Sequence, residues 1–180
     1  MHNVIFYYGA MKCGKTLLAL SLAHQFQSQN KRVLVLKPAA DTREGESLTS
    51  RAGLSISARI FETVTVDECM QADVIIIDEV QFLDEDAIDM LFKISMRHNI
   101  QIVCFGLLTN FKTEMFPASK RLVELSATLI QIPTADNTKF INARFKNGII
   151  QTDGAEIVCG DEEYRILDLQ EYWYLINQTL

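Results

Sequence analysis

The chain has 180 residues, of which 48% are hydrophobic, 22% are charged and only 3 are proline. This composition excludes a disordered chain and predicts one folded domain with room for a small appendage. The formal net charge of −6 argues against nucleic acid as a partner, because phosphate contacts need a clustered basic surface. The apolar runs are far shorter than the ~20 residues that span a bilayer, and the chain starts without a signal-peptide pattern. We therefore expect no membrane contact and a cytoplasmic location.

The start of the chain predicts a strand, a glycine-rich loop and a helix in succession. An apolar run at 4–8 precedes Gly9–Thr16, which match the pattern G-x-x-x-x-G-K-[ST], and helix formers follow. In this context the pattern predicts a phosphate-binding P-loop. Glycines let successive N–H groups point at phosphate oxygens, and the helix N-terminus adds partial positive charge. A chance match, the alternative, would occur in about one chain of this length in a hundred.

We predict that this loop binds ATP together with Mg²⁺. Lys15 is expected to reach the β- and γ-phosphates, and the Thr16 hydroxyl is expected to coordinate Mg²⁺. The predicted ATP-binding residues of the loop are Gly9, Ala10, Met11, Lys12, Cys13, Gly14, Lys15 and Thr16.

Strands and helices alternate along the next part of the chain. The patterns predict a helix over 15–29, a buried strand over 33–36, a mobile polar loop over 41–51, a short strand over 58–61, a helical turn over 66–71, a strand over 72–79, a helix over 84–98, a buried strand over 100–105, a loop over 106–116, a short helix over 117–124 and a last core strand over 126–132. This order predicts an α/β fold with a parallel sheet and right-handed crossovers.

The character of the sequence changes after residue 132. Short alternating segments lie around two turn signals: 139–144, 156–159 and 164–167, with Asn147-Gly148 and Asp153-Gly154 between them. This pattern is typical of small antiparallel β structure, and a terminal helix is predicted over 169–178. We therefore divide the chain into a nucleotide-binding domain, residues 1–131, and a small C-terminal β appendage, residues 132–180.

The strand over 72–79 ends in Asp78 and Glu79, at the edge where ligands of open α/β sheets bind. Asp78 is expected to lie beside the Mg²⁺ held by Thr16 and to orient it, usually through water. Glu79 is placed to accept a proton from the group that attacks the γ-phosphate. The alternative is a polar strand end without a chemical role.

Two classes of protein fit these motifs. One is a RecA-like P-loop ATPase, since Gly14–Thr16, Asp78-Glu79 and Ser126–Thr128 copy the order of helicase motifs. Helicases need a second domain of similar size, for which too few residues follow, and the acidic charge disfavours them. The other class is a small-molecule kinase, in which Glu79 deprotonates a hydroxyl group rather than water. The scattered cysteines and histidines predict neither a disulfide framework nor a zinc site.

Five short segments occur in a characteristic order: Phe6–Met11, Lys37-Pro38 with Asp41–Arg43, Ser50–Gly53, Asp78–Leu83 and Phe105–Phe111. In this order they resemble the type II thymidine kinases, a RecA-like family. The likeness runs from residue 3 to about 130, and Asp-Glu-x-Gln-Phe at this distance from the P-loop is its most specific part.

The resemblance implies transfer of the ATP γ-phosphate to the 5′-hydroxyl of thymidine, or of deoxyuridine, by a homotetramer that acts in nucleotide salvage for DNA synthesis. Glu79 would be the base that activates the 5′-hydroxyl, and Asp78 and Gln81 would join the ATP site. The residues that match the walls of the family's nucleoside pocket are Met11, Phe82, Leu107, Phe111 and Phe116. Core packing is the alternative for each of them.

The appendage resembles the family's lasso module, a zinc-pinned β unit whose long loop closes over thymidine. The family pattern Ile-Gly-Gly-x-x-x-Tyr corresponds to Val158–Tyr164, which implies that Tyr164 contacts the nucleoside. The zinc-binding cysteines are absent: their positions fall at 132–136 and 168–171. Asp168 and Glu171 alone make a poor structural zinc site, so we expect a zinc-free protein. The apolar residues 172–176 of the predicted terminal helix are expected to pack against the module and stabilise it instead, through Trp173 if that side chain is buried.

Overall fold

The computed structural model describes residues 3–41, 45, 47–125, 127–135, 138–154 and 164–178. Its N-terminal part contains β1 (Val4–Tyr8), α1 (Lys15–Ser28), β2 (Val33–Lys37), β3 (Ser47–Thr49), β4 (Ser55–Ser57), β5 (Arg59–Ile60), α2 (Val66–Met70), β6 (Val74–Ile77), α3 (Glu85–His98), β7 (Gln101–Gly106), α4 (Pro117–Glu124) and β8 (Thr128–Gln131). Its C-terminal module contains β9 (Ile141–Lys146), β10 (Ile149–Gln151), β11 (Tyr164–Leu167) and α5 (Leu169–Asn177).

Six parallel strands form the main sheet in the order β5-β2-β6-β7-β1-β8. The predicted α/β fold with a parallel sheet is therefore confirmed. Parallel neighbours bring the carboxyl ends of β1, β6 and β7 to the same edge. The P-loop follows β1, Asp78 follows β6, and Gly106 is the last residue of β7.

Strand β6 is buried along its whole length because both faces of the sheet are covered. Ile75 and Ile77 pack on the face that α3 and α4 cover, whereas Val74 and Ile76 pack on the face that α1 covers. A strand with two buried faces has no alternation of polar and apolar residues. Burial of each isoleucine side chain stabilises the folded state by about 1.5–3 kcal/mol. This packing holds the strand that carries Asp78 and Glu79 rigidly in the centre of the sheet.

Local signals mark the ends of α3 and α4. The Asp84 carboxylate accepts a hydrogen bond of 2.8 Å from the Ala87 N–H at the start of α3, as an N-cap should. Asn99 follows the end of α3 with a φ of 53°, in the left-handed region that closes many helices. Pro117 begins α4, where its missing N–H costs nothing.

Two segments differ from the predictions. The last strand, β8, is exposed throughout rather than buried, because it lies at the sheet edge with only β1 bonded to it. In the segment 41–51, predicted as a loop, Ser47–Thr49 pairs antiparallel with Ser55–Ser57. A three-residue strand has one apolar residue, here Leu48, and alternation has to extend over at least four residues before the sequence reveals a strand.

The C-terminal module is a three-stranded antiparallel sheet in the order β10-β9-β11. Asn147 and Gly148, with φ of 52° and 79°, form the predicted hairpin turn between β9 and β10. The module has its own small core, made of Ala143, Phe145, Ile150, Leu167 and Tyr172. The predicted strand over 156–159 lies outside the described residues.

Helix α5 confirms the predicted terminal helix but corrects the prediction of which aromatic residue is buried. Tyr172 is 6% exposed, whereas Trp173 is 55% exposed. Tyr172, Leu175 and Ile176 pack on the module, since residues three and four apart share one face of a helix. Trp173 is on another face and is therefore not the buried anchor of the module.

Candidate active site

The P-loop connects β1 to α1, and the Lys15 side chain holds it in a curled conformation. The Lys15 ammonium group donates hydrogen bonds to the Gly9 and Ala10 carbonyls, at 3.2 and 2.7 Å, so the loop curls around this buried side chain. Gly14, with a φ of 90°, adopts a backbone conformation that strongly favours glycine. A Cβ atom on Gly9 would lie 2.7 Å from the Ile132 carbonyl oxygen. Both glycines of the motif are therefore required by the local geometry.

Asp78 and Thr16 form the second part of the site. The Thr16 hydroxyl donates a 2.7 Å hydrogen bond to Asp78 Oδ2. Asp78 is buried, and among the described residues its Oδ1 atom has no hydrogen-bond partner. Burial, followed by the negative charge of Glu79, raises the pKa of Asp78 to about 7. A cation at this position would relieve both effects, so the hydroxyl and carboxylate oxygens fit Mg²⁺.

The backbone of Glu79 is strained, and a hydrogen bond from Gln81 holds its side chain. Its φ of 51° and ψ of 39° place a residue with a Cβ atom in the left-handed region, at a cost of about 1–3 kcal/mol. The Gln81 amide donates a 2.6 Å hydrogen bond to Glu79 Oε2. Strain of this kind persists where the surrounding structure over-determines it, and such positions cluster at functional sites.

Gln81 bridges Glu79 and the loop after β7. While its amide nitrogen binds Glu79, its carbonyl oxygen accepts a 3.0 Å hydrogen bond from the Leu107 N–H. A Cβ atom on Gly106 would lie 2.5 Å from that oxygen, so glycine is needed there for close approach. Gln81 is buried and does not line the cleft described next. Its predicted contact with ATP stays a prediction, and its observed contacts are those of a residue that orients Glu79.

A cleft of about 410 Å³ opens in front of these groups. Lys12, Gly14, Lys15, Thr16, Asp78 and Glu79 line one side, and residues 47–52 of the β3–β4 hairpin line the other. The Lys37 ammonium group lies 3.9 Å from Asp41 Oδ2 at the end of β2, and both residues also border the cleft. The structure thus brings together the predicted P-loop lysine and threonine with Asp78 and Glu79.

The predicted nucleoside-binding residues are not among the residues that line this cleft. The rings of Phe82 and Phe116 are in edge contact, with centroids 6.4 Å apart. Phe111 is buried beneath the Arg144 guanidinium group, at 5.6 Å from its carbon to the ring centroid. Met11, Leu107 and Tyr164 are each partly exposed, and Tyr164 pairs with Arg144 across β11 and β9.

The second pair of positions at which the resemblance implies lost zinc ligands, 168–171, holds a helix cap. The Asp168 carboxylate accepts a 2.8 Å hydrogen bond from the Glu171 N–H, and Glu171 accepts one from the Asp168 N–H. The Lys139 ammonium group lies 2.9 Å from Glu171 Oε2. Nowhere in the described ranges are three or more histidine, cysteine or acidic side chains arranged around a metal position. Asp136, the other acidic residue near those positions, is not among the described residues.

One polar residue near the site is not predicted from the sequence. Asn142, in β9, accepts a 2.8 Å hydrogen bond from the Met11 N–H of the P-loop. No motif marks this asparagine, because its partner is 131 residues away in the chain.

Within the described parts of the chain, no helix is long and apolar enough to cross a membrane.

A P-loop whose threonine binds a buried aspartate at the carboxyl edge of a parallel sheet defines a P-loop nucleotide-binding protein. A family model described as thymidine kinase matches residues 2–168. The chain belongs to the thymidine kinase family.

Individual relatives agree with this assignment. The thymidine kinase of Cutibacterium acnes is 33% identical over 175 residues, which cover 89% of this chain and 81% of that protein. The thymidine kinase of Enterobacteria phage T4 is 31% identical, and the match covers 100% of both chains. The thymidine kinase of Xanthomonas axonopodis pv. citri is also 31% identical, over 96% of this chain and 90% of that protein.

Proposed function

We propose that the chain transfers the γ-phosphate of ATP to the 5′-hydroxyl of thymidine, giving dTMP and ADP. The observation that carries the proposal is the buried Asp78 carboxylate beside the Thr16 hydroxyl of the P-loop. A buried charge is costly unless a cation or hydrogen bonds compensate it, and a nucleotide-bound cation would do so. Membership in the thymidine kinase family supports thymidine as the acceptor.

In this proposal Thr16 and Asp78 hold Mg²⁺, with Asp78 acting through water. When bound, Mg²⁺ neutralises negative charge on the β- and γ-phosphates. The Lys15 ammonium group exchanges its carbonyl partners in the loop for phosphate oxygens. The N–H groups of the loop, other than those of Gly9 and Met11, which have acceptors within the protein, surround the phosphates at the N-terminus of α1, where the helix dipole favours negative charge.

Glu79 is the proposed general base. The thymidine O5′–H bond breaks and the proton passes to the Glu79 carboxylate, while O5′ bonds to the γ-phosphorus. The bond between the γ-phosphorus and the β–γ bridging oxygen breaks, and ADP leaves with that electron pair. The hydrogen bond from Gln81 supports this role, because it orients the carboxylate and thereby favours a productive geometry.

The nucleoside is proposed to bind on the side of Glu79 away from the P-loop lysine. The hydrogen bond from Leu107 to Gln81 supports this location, since it ties Glu79 to the loop that also carries Phe111 and Phe116. The proposed walls are Met11, Phe82, Leu107, Phe111, Phe116 and Tyr164. Aromatic side chains suit a flat base, because they offer a large apolar surface with stacking geometry.

We further propose a zinc-free homotetramer in the cytoplasm, without nucleic-acid partners. The exposed edge strand β8 supports self-association, since Leu129 and Ile130 are both exposed there next to an open hydrogen-bonding edge. Sedimentation analysis tests the number of subunits, and a monomer at micromolar concentration would contradict this part of the proposal.

The proposed function is tested by incubating the purified protein with ATP, Mg²⁺ and a panel of nucleosides. Thymidine, deoxyuridine, deoxycytidine and deoxyguanosine are compared, and ADP release is followed in parallel. We expect phosphorylation of thymidine, with deoxyuridine as the next substrate. ADP release without a phosphorylated nucleoside would contradict the kinase assignment and favour a RecA-like ATPase.

A further inference from the structure

Strand β9 has two faces with different partners. Ala143 and Phe145 point into the core of the C-terminal module. Successive side chains of a strand lie on opposite faces, so Asn142 and Arg144 share the other face. Both contact the N-terminal part of the chain, Asn142 at the P-loop and Arg144 at Phe111. Strand β9 therefore connects the module to two loops of the active site.

The contact of Asn142 is a partly buried hydrogen bond at the P-loop. Its side-chain oxygen accepts the Met11 N–H at 2.8 Å, and the asparagine itself is only 3% exposed. The acceptor directs this N–H toward the module, and loss of the acceptor would leave the N–H without its partner and destabilise this conformation of the loop. Met11 is also a proposed wall of the nucleoside pocket. Asn142 thus constrains the residue at which the phosphate site and the nucleoside pocket adjoin.

The contact of Arg144 is with the loop after β7. Its guanidinium group lies over the face of Phe111, a ring that is itself buried. This loop is the one that Gln81 ties to Glu79. A displacement of the module would therefore disturb residues on both sides of the proposed nucleoside pocket, at the P-loop and at the loop after β7.

We propose that Asn142 is a positioning residue for the nucleoside, which acts by holding Met11 in place through the Met11 N–H. The inference rests on the proposed function for the identity of the nucleoside. Its physical basis is pre-organisation: a loop held in its binding conformation loses less conformational entropy when the ligand binds. Loss of the bond should therefore weaken nucleoside binding more than ATP binding, because many other N–H groups of the loop remain for the phosphates.

The test compares two substitutions of similar size. Asn142→Leu removes the acceptor, whereas Asn142→Asp retains an acceptor oxygen at the same position. Lys139→Ala is the matched control, since it removes an ion pair with Glu171 inside the module without touching the P-loop. Hydrogen exchange of the Met11 amide is measured by NMR in the ligand-free proteins, and KM is measured separately for thymidine and for ATP.

We expect Asn142→Leu to speed exchange at Met11 and to raise the KM for thymidine about tenfold, with a much smaller change in the KM for ATP. Asn142→Asp and Lys139→Ala should keep slow exchange and a KM for thymidine close to that of the wild type. If Asn142→Leu does not fold, Asn142→Ala replaces it with the same expected results.

An unprotected Met11 amide in the wild type, or an unchanged KM for thymidine in Asn142→Leu, would overturn the positioning role. So would equal losses in Asn142→Leu and Asn142→Asp, because the acceptor would then not be the cause. These results are distinct from a failure of the proposed function, which would appear as a wild-type protein that phosphorylates no nucleoside.

Discussion

Asp78 and Glu79 are adjacent in the chain but have different surroundings, and this difference assigns them different roles. Asp78 is buried and binds Thr16, so it suits a cation. Glu79 itself has a left-handed backbone conformation and is held by Gln81, so it suits an attacking hydroxyl. One carboxylate is thus enclosed at the phosphate site, while the other is held at the border of the cleft.

Asp78→Asn should increase stability in Mg²⁺-free buffer and abolish most activity. The pKa of Asp78 is raised from 3.8 to about 7 in the folded protein, so the folded state binds this proton more tightly than the unfolded state. The free energy of unfolding of the wild type should therefore fall, relative to the variant, as the pH rises from about 4 to about 7. Urea unfolding at several pH values checks this expectation, and a stability difference that is constant over this range would contradict it.

Glu79→Gln should lower kcat about 10²–10⁴-fold, because the shape of the side chain is kept while the base is removed. Binding of a non-hydrolysable ATP analogue should change little, since Glu79 is not proposed to hold the phosphates. Lys15→Ala is the contrasting variant and should impair both ATP binding and turnover. If Glu79→Gln retained most of the wild-type turnover, the base would have to be another group.

At the scale of elements, α5 shows how helical periodicity divides one aromatic run into two faces. Tyr172 belongs to the core of the module, together with Leu175 and Ile176 at its border. Leu169, Trp173 and Tyr174 are exposed. The helix begins with a reciprocal cap between Asp168 and Glu171, which fixes the rotation of the helix about its axis and therefore which residues face inward.

Tyr172→Ala should destabilise the protein by about 3–5 kcal/mol, the cost of removing a large aromatic side chain from a core. Trp173→Ala should change the free energy of unfolding by no more than about 0.5 kcal/mol, because the side chain is mostly in solvent. Chemical denaturation of the two variants under the same conditions measures both values. A larger loss for Trp173→Ala than for Tyr172→Ala would contradict the observed orientation of α5.

The elements that the sequence predicts well are those whose own residues carry the signal. The P-loop, the buried strand β6, the capped helix α3 and the Asn147-Gly148 hairpin all have local patterns, and all are confirmed. The β3–β4 hairpin is missed because each strand is only three residues long. Strand β8 is judged to be buried because composition does not reveal a position at the sheet edge. Burial depends on neighbours that are distant in the chain.

The same limit applies to the site. Asp78, Glu79 and the P-loop residues are identified by spacing alone, and the structure brings them together. The bridge through Gln81 depends on the close approach of Gly106 to the Gln81 side chain. The hydrogen bond from Met11 to Asn142 joins two residues that are 131 positions apart in the chain. Neither contact has a sequence pattern, because each is created by the packing of separate elements.

At the scale of the whole molecule, the described part of the C-terminal module is held by a core, a helix cap and an ion pair. The cap between Asp168 and Glu171 and the ion pair with Lys139 occupy the region of the second ligand pair. Each of these contributions is small, since helix caps contribute about 1 kcal/mol and exposed ion pairs less. The core around Tyr172 therefore has to supply most of the stability of the module.

The purified protein is expected to contain no stoichiometric zinc. A chelator that prefers zinc to magnesium should leave both the melting temperature and the activity unchanged, since no zinc-binding free energy is linked to folding. Elemental analysis and thermal unfolding, with a zinc-containing relative as the positive control, measure the two quantities. One zinc ion per chain, or a lower melting temperature after chelation, would contradict this prediction.

The central claim is that this P-loop protein passes phosphate from ATP to thymidine rather than to water. The most direct measurement is the ratio of dTMP formed to ADP released by the purified protein in the presence of Mg²⁺, with Lys15→Ala as the inactive control. The account predicts equal amounts of dTMP and ADP, and little ADP when thymidine is left out. ADP that forms without dTMP, at the same rate with and without thymidine, would contradict it.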